Sequence, residues 1–88
     1  MNTAFRESFD ADLSAIRDAA LLRRVRKAVE QVEAARNFQQ ISNLKRLEAN
    51  GKYYRIRVGD YRLGFVFEQG VVTFVRCLNR KEVYRYFP

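Results

Sequence analysis

Arginine and tyrosine recur at alternating positions in the second half of the chain. Arg55 and Arg57 alternate with apolar residues in YYRIRV, Arg62 follows a Gly-Asp pair, and the segment NRKEVYRYFP adds further cations and phenols. The planar guanidinium of arginine binds two phosphate oxygens at once, and a tyrosine ring stacks on an unpaired base. This pattern indicates an anion site suited to a nucleic-acid phosphate.

Cleavage of RNA at such a site requires a base for the 2'-hydroxyl proton, an acid for the departing 5'-oxygen, and cations around the phosphorane. The chain has no histidine, and Cys77 is its one cysteine, so a set of soft zinc ligands is missing. We therefore expect no metal, no cofactor and no internal disulfide, with Cys77 buried in a strand. Such a catalyst would act by positioning and charge stabilisation, and we expect it to be weak on free RNA.

The positive charge is concentrated in the second half of the chain. The net charge is +7, and residues 45–88 hold ten Lys and Arg against four Asp and Glu, whereas residues 1–44 hold seven against six. This asymmetry predicts a polyanion or an acidic protein as partner. The start MNTAFRESFDADL carries acids where a signal peptide would be apolar, so we expect a cytoplasmic protein without a membrane partner.

The first half of the chain has the periodicity of helices. These helices must support the sheet that carries the arginine and tyrosine residues of the second half. Phe9, Leu13 and Ile16 share one helix face behind Ser8 or Asp10 as a cap. A longer helix is predicted between a cap at Asp18 and a stop at Asn37, with an apolar stripe formed by Leu21, Leu22, Val25, Ala28, Val29 and Val32. Residues 3–6 are predicted to form a short edge strand.

The second half has the period of strands. Residues 53–58, 61–68 and 71–79 are rich in β-branched and aromatic residues, and Gly59-Asp60 and Gln69-Gly70 separate them as tight turns. Residues 45–52 are predicted to be a loop. The fold class is therefore α+β in the order β-α-α-β-β-β with a short C-terminal helix or turn. An N-terminal edge strand and a helix hairpin pack on one face of a mainly antiparallel sheet, all within a single domain, 1–88.

A two-residue turn at 59–60 fixes the register of the first hairpin. It places Arg57 opposite Arg62 and Arg55 opposite Gly64, on the face turned away from the helices. Arg57 and Arg62 repel one another unless an anion binds between them. The alternative is that these arginines form only a solvated surface.

The second turn extends this register into the third strand. It predicts that Arg62 lies opposite Cys77 and Gly64 opposite Val75, which leaves a glycine notch among the arginines. Arg76 would fall on the core face, so a β-bulge or an edge position is needed there.

The C-terminal residues follow from the same register. We expect Asn79 on the face of the arginines, followed by Arg80, Lys81 and Tyr84 close to Arg57. Tyr86 and Phe87 are predicted to seal the open end of the core.

The pattern LKRL...YYRIRVGDYRLGFVFEQGVVTFVRCLNRKEVYRYFP resembles the RelE/ParE superfamily of bacterial type II toxins, and within it the RelE-type mRNA interferases. The resemblance covers nearly the whole chain. It implies a ribosome-dependent endoribonuclease that cuts mRNA in the A site by metal-independent attack of the 2'-hydroxyl. It also implies a cognate acidic antitoxin, with the toxin monomeric when free and heteromeric when bound.

The resemblance also assigns roles to residues. Arg62, Arg80 and Tyr84 correspond to catalytic positions, and a shift of one residue puts Lys81 in the place of Arg80. Cations that contact RNA are predicted at Arg55, Arg57, Lys45 and Lys52.

Asn79 is a departure, because many relatives with this ending carry histidine there, and asparagine cannot exchange a proton near neutral pH. Either Lys81, Tyr84 or an arginine transfers the proton, or nuclease activity is reduced. Two other functions therefore stay open. One is a ParE-like toxin that inhibits DNA gyrase without nuclease chemistry, and the other is a basic RNA-binding module.

Overall fold

The computed structural model describes residues 1–49 and 51–88. Its elements, in chain order, are β1 (Asn2–Phe5), α1 (Glu7–Ser14), α2 (Ala19–Ala34), a 3-10 turn (Phe38–Gln40), β2 (Leu44–Arg46), β3 (Tyr53–Val58), β4 (Tyr61–Glu68), β5 (Val71–Asn79) and α3 (Val83–Tyr86). This arrangement confirms the predicted α+β fold class, with the short C-terminal helix present.

The strands form one five-stranded sheet in the order β1-β5-β4-β3-β2. β1 is parallel to β5, and the other neighbours are antiparallel. β2 was predicted to be part of a loop, and that prediction was wrong, because residues 44–46 pair with residues 54–56 of β3. A three-residue edge strand carrying two cations has too short a pattern to be recognised from sequence.

The two long helices differ in how they begin. Asp18 caps α2 as predicted, since its Oδ1 accepts hydrogen bonds from the backbone N–H groups of Ala20 and Leu21 at 2.9 and 3.1 Å. The predicted caps of α1 were wrong, because Ser8 and Asp10 lie inside the helix, which begins after Arg6 without a side-chain cap.

The main core lies between the helices and one face of the sheet. Its largest fully buried side chains are Phe9 of α1, Val32 of α2, and Ile56, Leu63, Phe65, Val72 and Phe74 of the sheet. Across residues 1–49 and 51–88, no helix is long and apolar enough to cross a lipid bilayer.

The β3–β4 hairpin has the predicted register, with Arg57 opposite Arg62 and Arg55 opposite Gly64. Beyond the second turn the predicted register holds only as far as the pair Phe65–Phe74. A β-bulge then skips one residue, so Gly64 lies opposite Arg76.

The bulge that Arg76 required is therefore confirmed, whereas the predicted pairs Arg62–Cys77 and Gly64–Val75 were wrong. Cys77 pairs with Leu63 instead and is 2% exposed, which confirms that it is a buried strand residue.

The extra residue of the bulge moves the end of β5 by one position. Leu78, rather than Cys77, now lies opposite Arg62, and Asn79 lies opposite Tyr61 on the helix side. The expectation that Asn79 lies with the arginines was therefore wrong.

α1 replaces the missing neighbour of β5 where β1 ends. Asp12 accepts two hydrogen bonds from Arg76, at 2.8 and 3.0 Å, and one from the backbone N–H of Cys77 at 2.9 Å. The Ser8 hydroxyl donates to the carbonyl of Val75. These contacts give hydrogen-bond partners to the backbone groups of β5 that are left unpaired at the bulge, and they hold Arg76 away from the main core.

A second, smaller apolar cluster lies on the sheet face turned away from α1 and α2. It contains Leu78, Val83 and Phe87, with Leu47, Tyr53 and Val75 packed against them. The Phe87 ring fills the predicted glycine notch, since a Cβ on Gly64 would lie 2.7 Å from Phe87 Cδ2. Phe87 is 1% exposed and seals this cluster, whereas Tyr86 is 51% exposed and does not.

Candidate functional site

Three arginines of one hairpin share the sheet face opposite α1 and α2. We call this surface, formed by Arg55, Arg57 and Arg62, the arginine face. Arg57 lies directly across the ladder from Arg62, and Lys45 of β2 lies directly across from Arg55. The hairpin register therefore brings four of the predicted site residues together.

Backbone carbonyls and one amide orient the guanidinium groups. Arg55 Nη1 donates to the carbonyl of Asn43 at 2.8 Å, and Arg57 Nη2 donates to Asn43 Oδ1 at 3.3 Å. Arg62 Nη1 donates to the carbonyls of Gly59 and Tyr61, each at 2.9 Å. These neutral acceptors fix the arginines in place without cancelling their charge.

No carboxylate of the described chain neutralises the arginine face. Across residues 1–49 and 51–88 the ion pairs are Lys52–Glu68, Arg76–Asp12 and Arg80–Asp60. Within the same residues, Arg55 Nε is buried without a hydrogen-bond partner. Uncancelled charge together with an unsatisfied donor favours an anion at this surface.

The electrostatic neighbours of Arg62 identify the centre of the site. Partial burial, followed by repulsion from Arg55 and Arg57, lowers the pKa of Arg62, and Arg80 adds to this effect while Tyr84 opposes it. Arg62 therefore lies within electrostatic range of all four groups. A bound phosphate would relieve the repulsion between Arg62 and the other three arginines.

Arg80 follows β5 and lies beside the β3–β4 turn. Its backbone N–H donates to the carbonyl of Asp60 at 2.7 Å, and its Nε lies 3.9 Å from Asp60 Oδ1. These two side chains are 60% and 76% exposed, so solvent screens this ion pair and Arg80 keeps most of its charge for a ligand.

Tyr84 is carried by α3, which the second apolar cluster anchors. Its neighbour Val83 is fully buried, and Phe87 is nearly so, while Tyr84 itself is 62% exposed. α3 therefore presents this ring to solvent, within electrostatic range of Arg62.

Lys81 is exposed at the turn before α3, and its backbone N–H donates to Asn79 Oδ1 at 3.0 Å. Lys52 lies at the opposite end of the sheet from Arg62, where its Nζ is 2.7 Å from Glu68 Oε1. Hydrogen bonding to Glu68 raises the pKa of Lys52. The structure therefore does not bring Lys52 together with the other predicted residues.

Asn43 is a part of the site that the sequence did not reveal. It has a φ of 62°, which asparagine tolerates better than most residues, and it contacts both Arg55 and Arg57. The signal available in the sequence is weak, because a single Ser-Asn pair before LKRL is common in loops. Residues 1–49 and 51–88 contain no group of three or more His, Cys, Asp or Glu able to hold a metal ion.

Known proteins match this chain over nearly its full length. A family model described as the ParE toxin of the type II toxin-antitoxin system parDE matches residues 4–84. Toxin RelE3 from Methanocaldococcus jannaschii is 30% identical over 89 aligned positions, which cover 100% of both proteins.

Solved structures show the same fold. The toxin in a RelB-RelE antitoxin-toxin complex from Methanococcus jannaschii matches with a TM-score of 0.80 and 29% identity, over 97% of this chain and 99% of that one. A YoeB dimer from Staphylococcus aureus matches with a TM-score of 0.71 and 16% identity, over 89% and 94% of the two chains. The chain therefore belongs to the ParE toxin family, within the RelE/ParE superfamily of toxins from type II toxin-antitoxin systems.

Proposed function

We propose that this toxin is an endoribonuclease that cleaves mRNA on the ribosome, in the cytoplasm, without a metal ion. The observation that carries the proposal is the arrangement around Arg62, where no carboxylate of the described residues pairs with Arg55, Arg57 or Arg62, and where Arg80 and the exposed ring of Tyr84 lie within electrostatic range. In this reaction the RNA 2'-hydroxyl gives its proton to a basic side chain of the site as its oxygen bonds to the adjacent phosphorus. The bond from phosphorus to the 5'-oxygen then breaks, and that oxygen takes up a proton. The products are a 2',3'-cyclic phosphate and a 5'-hydroxyl.

The roles of the residues follow from their chemistry. Arg62 and Arg55 hold the scissile phosphate and stabilise the extra negative charge of the phosphorane. Arg80 or Lys81 acts as the acid that protonates the departing 5'-oxygen, and Tyr84 stacks on a base beside the cut. Arg57 and Lys45 contact the neighbouring backbone. Because no histidine is present, catalysis relies on positioning, and the ribosome supplies an mRNA strand that is already extended.

An acidic antitoxin is the proposed partner. The solved relative from Methanococcus jannaschii is a complex of toxin and antitoxin. In this chain the net charge of +7 and the uncancelled arginine face suit an acidic peptide that neutralises them. We propose that the free toxin is monomeric and becomes heteromeric when the antitoxin binds.

Primer extension on mRNA from cells that express the toxin tests the nuclease proposal. We expect in-frame cuts within translated regions for the wild type and for Arg36→Ala, a control that removes an exposed arginine outside the site. Arg62→Ala is expected to abolish both the cuts and the growth arrest. Its thermal midpoint should stay unchanged or rise slightly, since the loss of hydrogen bonds to two carbonyls is offset by relief of repulsion with Arg57.

Inhibition of DNA gyrase is the second candidate function. The matching family model is that of the ParE toxin, and Asn79 cannot replace a catalytic histidine. A supercoiling assay with purified gyrase separates the two candidates. Inhibited supercoiling with intact mRNA in the induced cells would reject the nuclease and support a gyrase inhibitor.

A further inference from the structure

A second group of cations lines a cleft at the edge of the sheet, beside the arginine face, with which it shares Arg57. The cleft has a volume of about 210 Å³ and lies between α2 and the end of β3. We call it the edge cleft. Its charged and polar lining residues are Arg24, Lys27, Gln31, Ser42, Asn43 and Arg57.

The cleft exists because β2 stops before β3 does. β2 begins at Leu44, which pairs with Ile56, and Asn43 turns away with a positive φ of 62°. Beyond Ile56 the outer edge of β3 is therefore open, apart from the hydrogen bond from the N–H of Arg57 to the carbonyl of Asn43 at 3.2 Å. Arg57 thus belongs both to the arginine face and to the edge cleft.

On the helix side of the cleft, hydrogen bonds join α2 to the loop before β2. Gln31 Nε2 donates to Ser42 Oγ at 3.1 Å, and the N–H of Ser42 donates to Gln31 Oε1 at 3.3 Å, which fixes the loop against α2. The Arg24 guanidinium rests on the β3–β4 turn, since a Cβ on Gly59 would lie 2.8 Å from Arg24 Nη1. The turn thereby holds Arg24 beside the arginine hairpin.

The two flanks of α2 carry different charge patterns. Arg24, Lys27 and Gln31 are spaced at i, i+3 and i+7, so they share the flank that faces the cleft, and the cleft lining includes no Asp or Glu among the described residues. The other flank mixes signs, with Arg26, Glu30 and Glu33 lining a separate groove. A flank that served solubility alone would be expected to mix signs as the other one does.

We propose that the edge cleft is a second phosphate-binding site, which holds the RNA backbone next to the nucleotide on the arginine face. The proposal rests on the proposed function, because it extends the same RNA contact. Arg24, Lys27 and Arg57 supply the positive charge, and the hydroxyl of Ser42 and the amide of Asn43 offer neutral donors. Arg57 links the two sites, so one strand can pass from the hairpin across the sheet edge to α2.

The test compares two double variants of the purified protein that lose the same charge. Arg24→Gln with Lys27→Gln removes the helix cations of the cleft, and Arg23→Gln with Arg26→Gln removes two exposed cations elsewhere on α2. Binding of a short fluorescein-labelled unstructured RNA and of an RNA hairpin is followed by anisotropy at several salt concentrations. Each lost phosphate contact reduces the magnitude of the slope of log affinity against log salt by about 0.7 on a single strand. The slope of the cleft variant should therefore be about 1.4 smaller in magnitude than that of the wild type.

The control variant should keep a slope close to that of the wild type. A loss of slope on the single strand supports the site, whereas a loss on the RNA hairpin alone would mean that the cleft binds structured RNA and would overturn the proposal. Equal slopes for the two variants on both RNAs would overturn it, as would a cleft variant that is defective only in antitoxin binding. If Lys27→Gln with Arg24→Gln does not fold, Lys27→Gln alone should lower the slope by about 0.7.

The outcomes also separate this proposal from the nuclease proposal. If Arg62→Ala abolishes cleavage while the cleft variant binds like its control, the nuclease stands and the edge cleft is not a site. If the wild-type protein binds neither RNA, the edge cleft is not a site, and primer extension on mRNA from induced cells still decides the nuclease proposal.

Discussion

Tyr84 is held in an unusual position for an aromatic residue, since it is 62% exposed between two anchors, Val83 and Phe87, that are buried. An apolar ring left in solvent costs hydration free energy, which a stacked base would recover. Tyr84 lies within electrostatic range of Arg62, and we propose that the base next to the cleaved phosphate stacks on its ring. We therefore propose that Tyr84 acts through its ring rather than through its hydroxyl.

Substitutions at Tyr84 separate these two contributions. Tyr84→Phe should cleave ribosome-bound mRNA at close to the wild-type rate, whereas Tyr84→Ala should lose the stacking of one base, about 1–3 kcal/mol, or roughly 5- to 150-fold. Single-turnover cleavage on programmed ribosomes measures both variants. An inactive Tyr84→Phe with a normal thermal midpoint would assign proton transfer to the hydroxyl.

The Cys77 thiol is expected to be unreactive because it is buried. Burial, with a smaller contribution from Asp12, raises the pKa of the Cys77 thiol to about 12. An unfolded thiol ionises near pH 8.5, so at that pH the folded protein should react with iodoacetamide at least about a thousandfold more slowly than the protein in urea.

The same shift makes Cys77 stabilising at neutral pH. Because the folded pKa is the higher one, this contribution is complete below about pH 8.5 and is lost as the pH rises towards about 12. Equal alkylation rates for folded and unfolded protein would show that the thiol is accessible.

At the scale of elements, the position of α3 depends on one ring and one glycine. Phe87 lies against Gly64 so closely that a Cβ there would be 2.7 Å from the ring. The helix that carries Tyr84 is therefore fixed by a contact made on β4, the strand that also carries Arg62. Packing at Gly64 therefore couples the position of Tyr84 to that of Arg62.

Gly64→Ala should displace Phe87 and with it α3. Overpacking of this kind costs about 1–3 kcal/mol, which urea denaturation measures, and mRNA cleavage should fall because Tyr84 moves. Phe87→Leu provides the control in a double-mutant cycle, since a smaller side chain makes room for the new methyl group. If the two substitutions destabilise additively, the Gly64–Phe87 contact does not position α3.

The elements also show what the sequence could predict. The turn residues Gly59-Asp60 set the register of Arg57 and Arg62 directly, and Asp18 marked the start of α2 through ordinary capping chemistry. Arg76 signalled that a bulge was needed, but the residue skipped by the bulge, Val75, is an ordinary strand residue, so its position could not be read from the pattern.

The helix-side position of Asn79 follows from that one residue. The filling of the notch at Gly64 by Phe87 depends instead on tertiary packing, which the strand pattern does not contain.

At the scale of the whole molecule, the charge is one-sided, since residues 45–88 carry ten cations against four acids. Much of this charge lies on the arginine face and in the turns next to it. The folded protein therefore repels itself most strongly where it is proposed to bind RNA, and screening should stabilise it.

The thermal midpoint should accordingly rise as NaCl increases from about 0.01 to 0.1 M, because the Debye length falls from about 30 to 10 Å. Differential scanning calorimetry measures this shift, and Arg62→Ala should show a smaller rise than the wild type. A midpoint that falls with salt would mean that attractive ion pairs outweigh the repulsion.

The parallel pairing of β1 with β5 has a consequence for biosynthesis. Residues 2–5 can find their partners, residues 71–74, only after those later residues have been translated. The residues 80–84 are translated later still, so a nascent chain carries neither a closed sheet nor a complete site. We therefore expect that a nascent chain of this topology cannot act at the ribosome that is making it, and that the proposed antitoxin is not needed until residues 80–84 have left that ribosome.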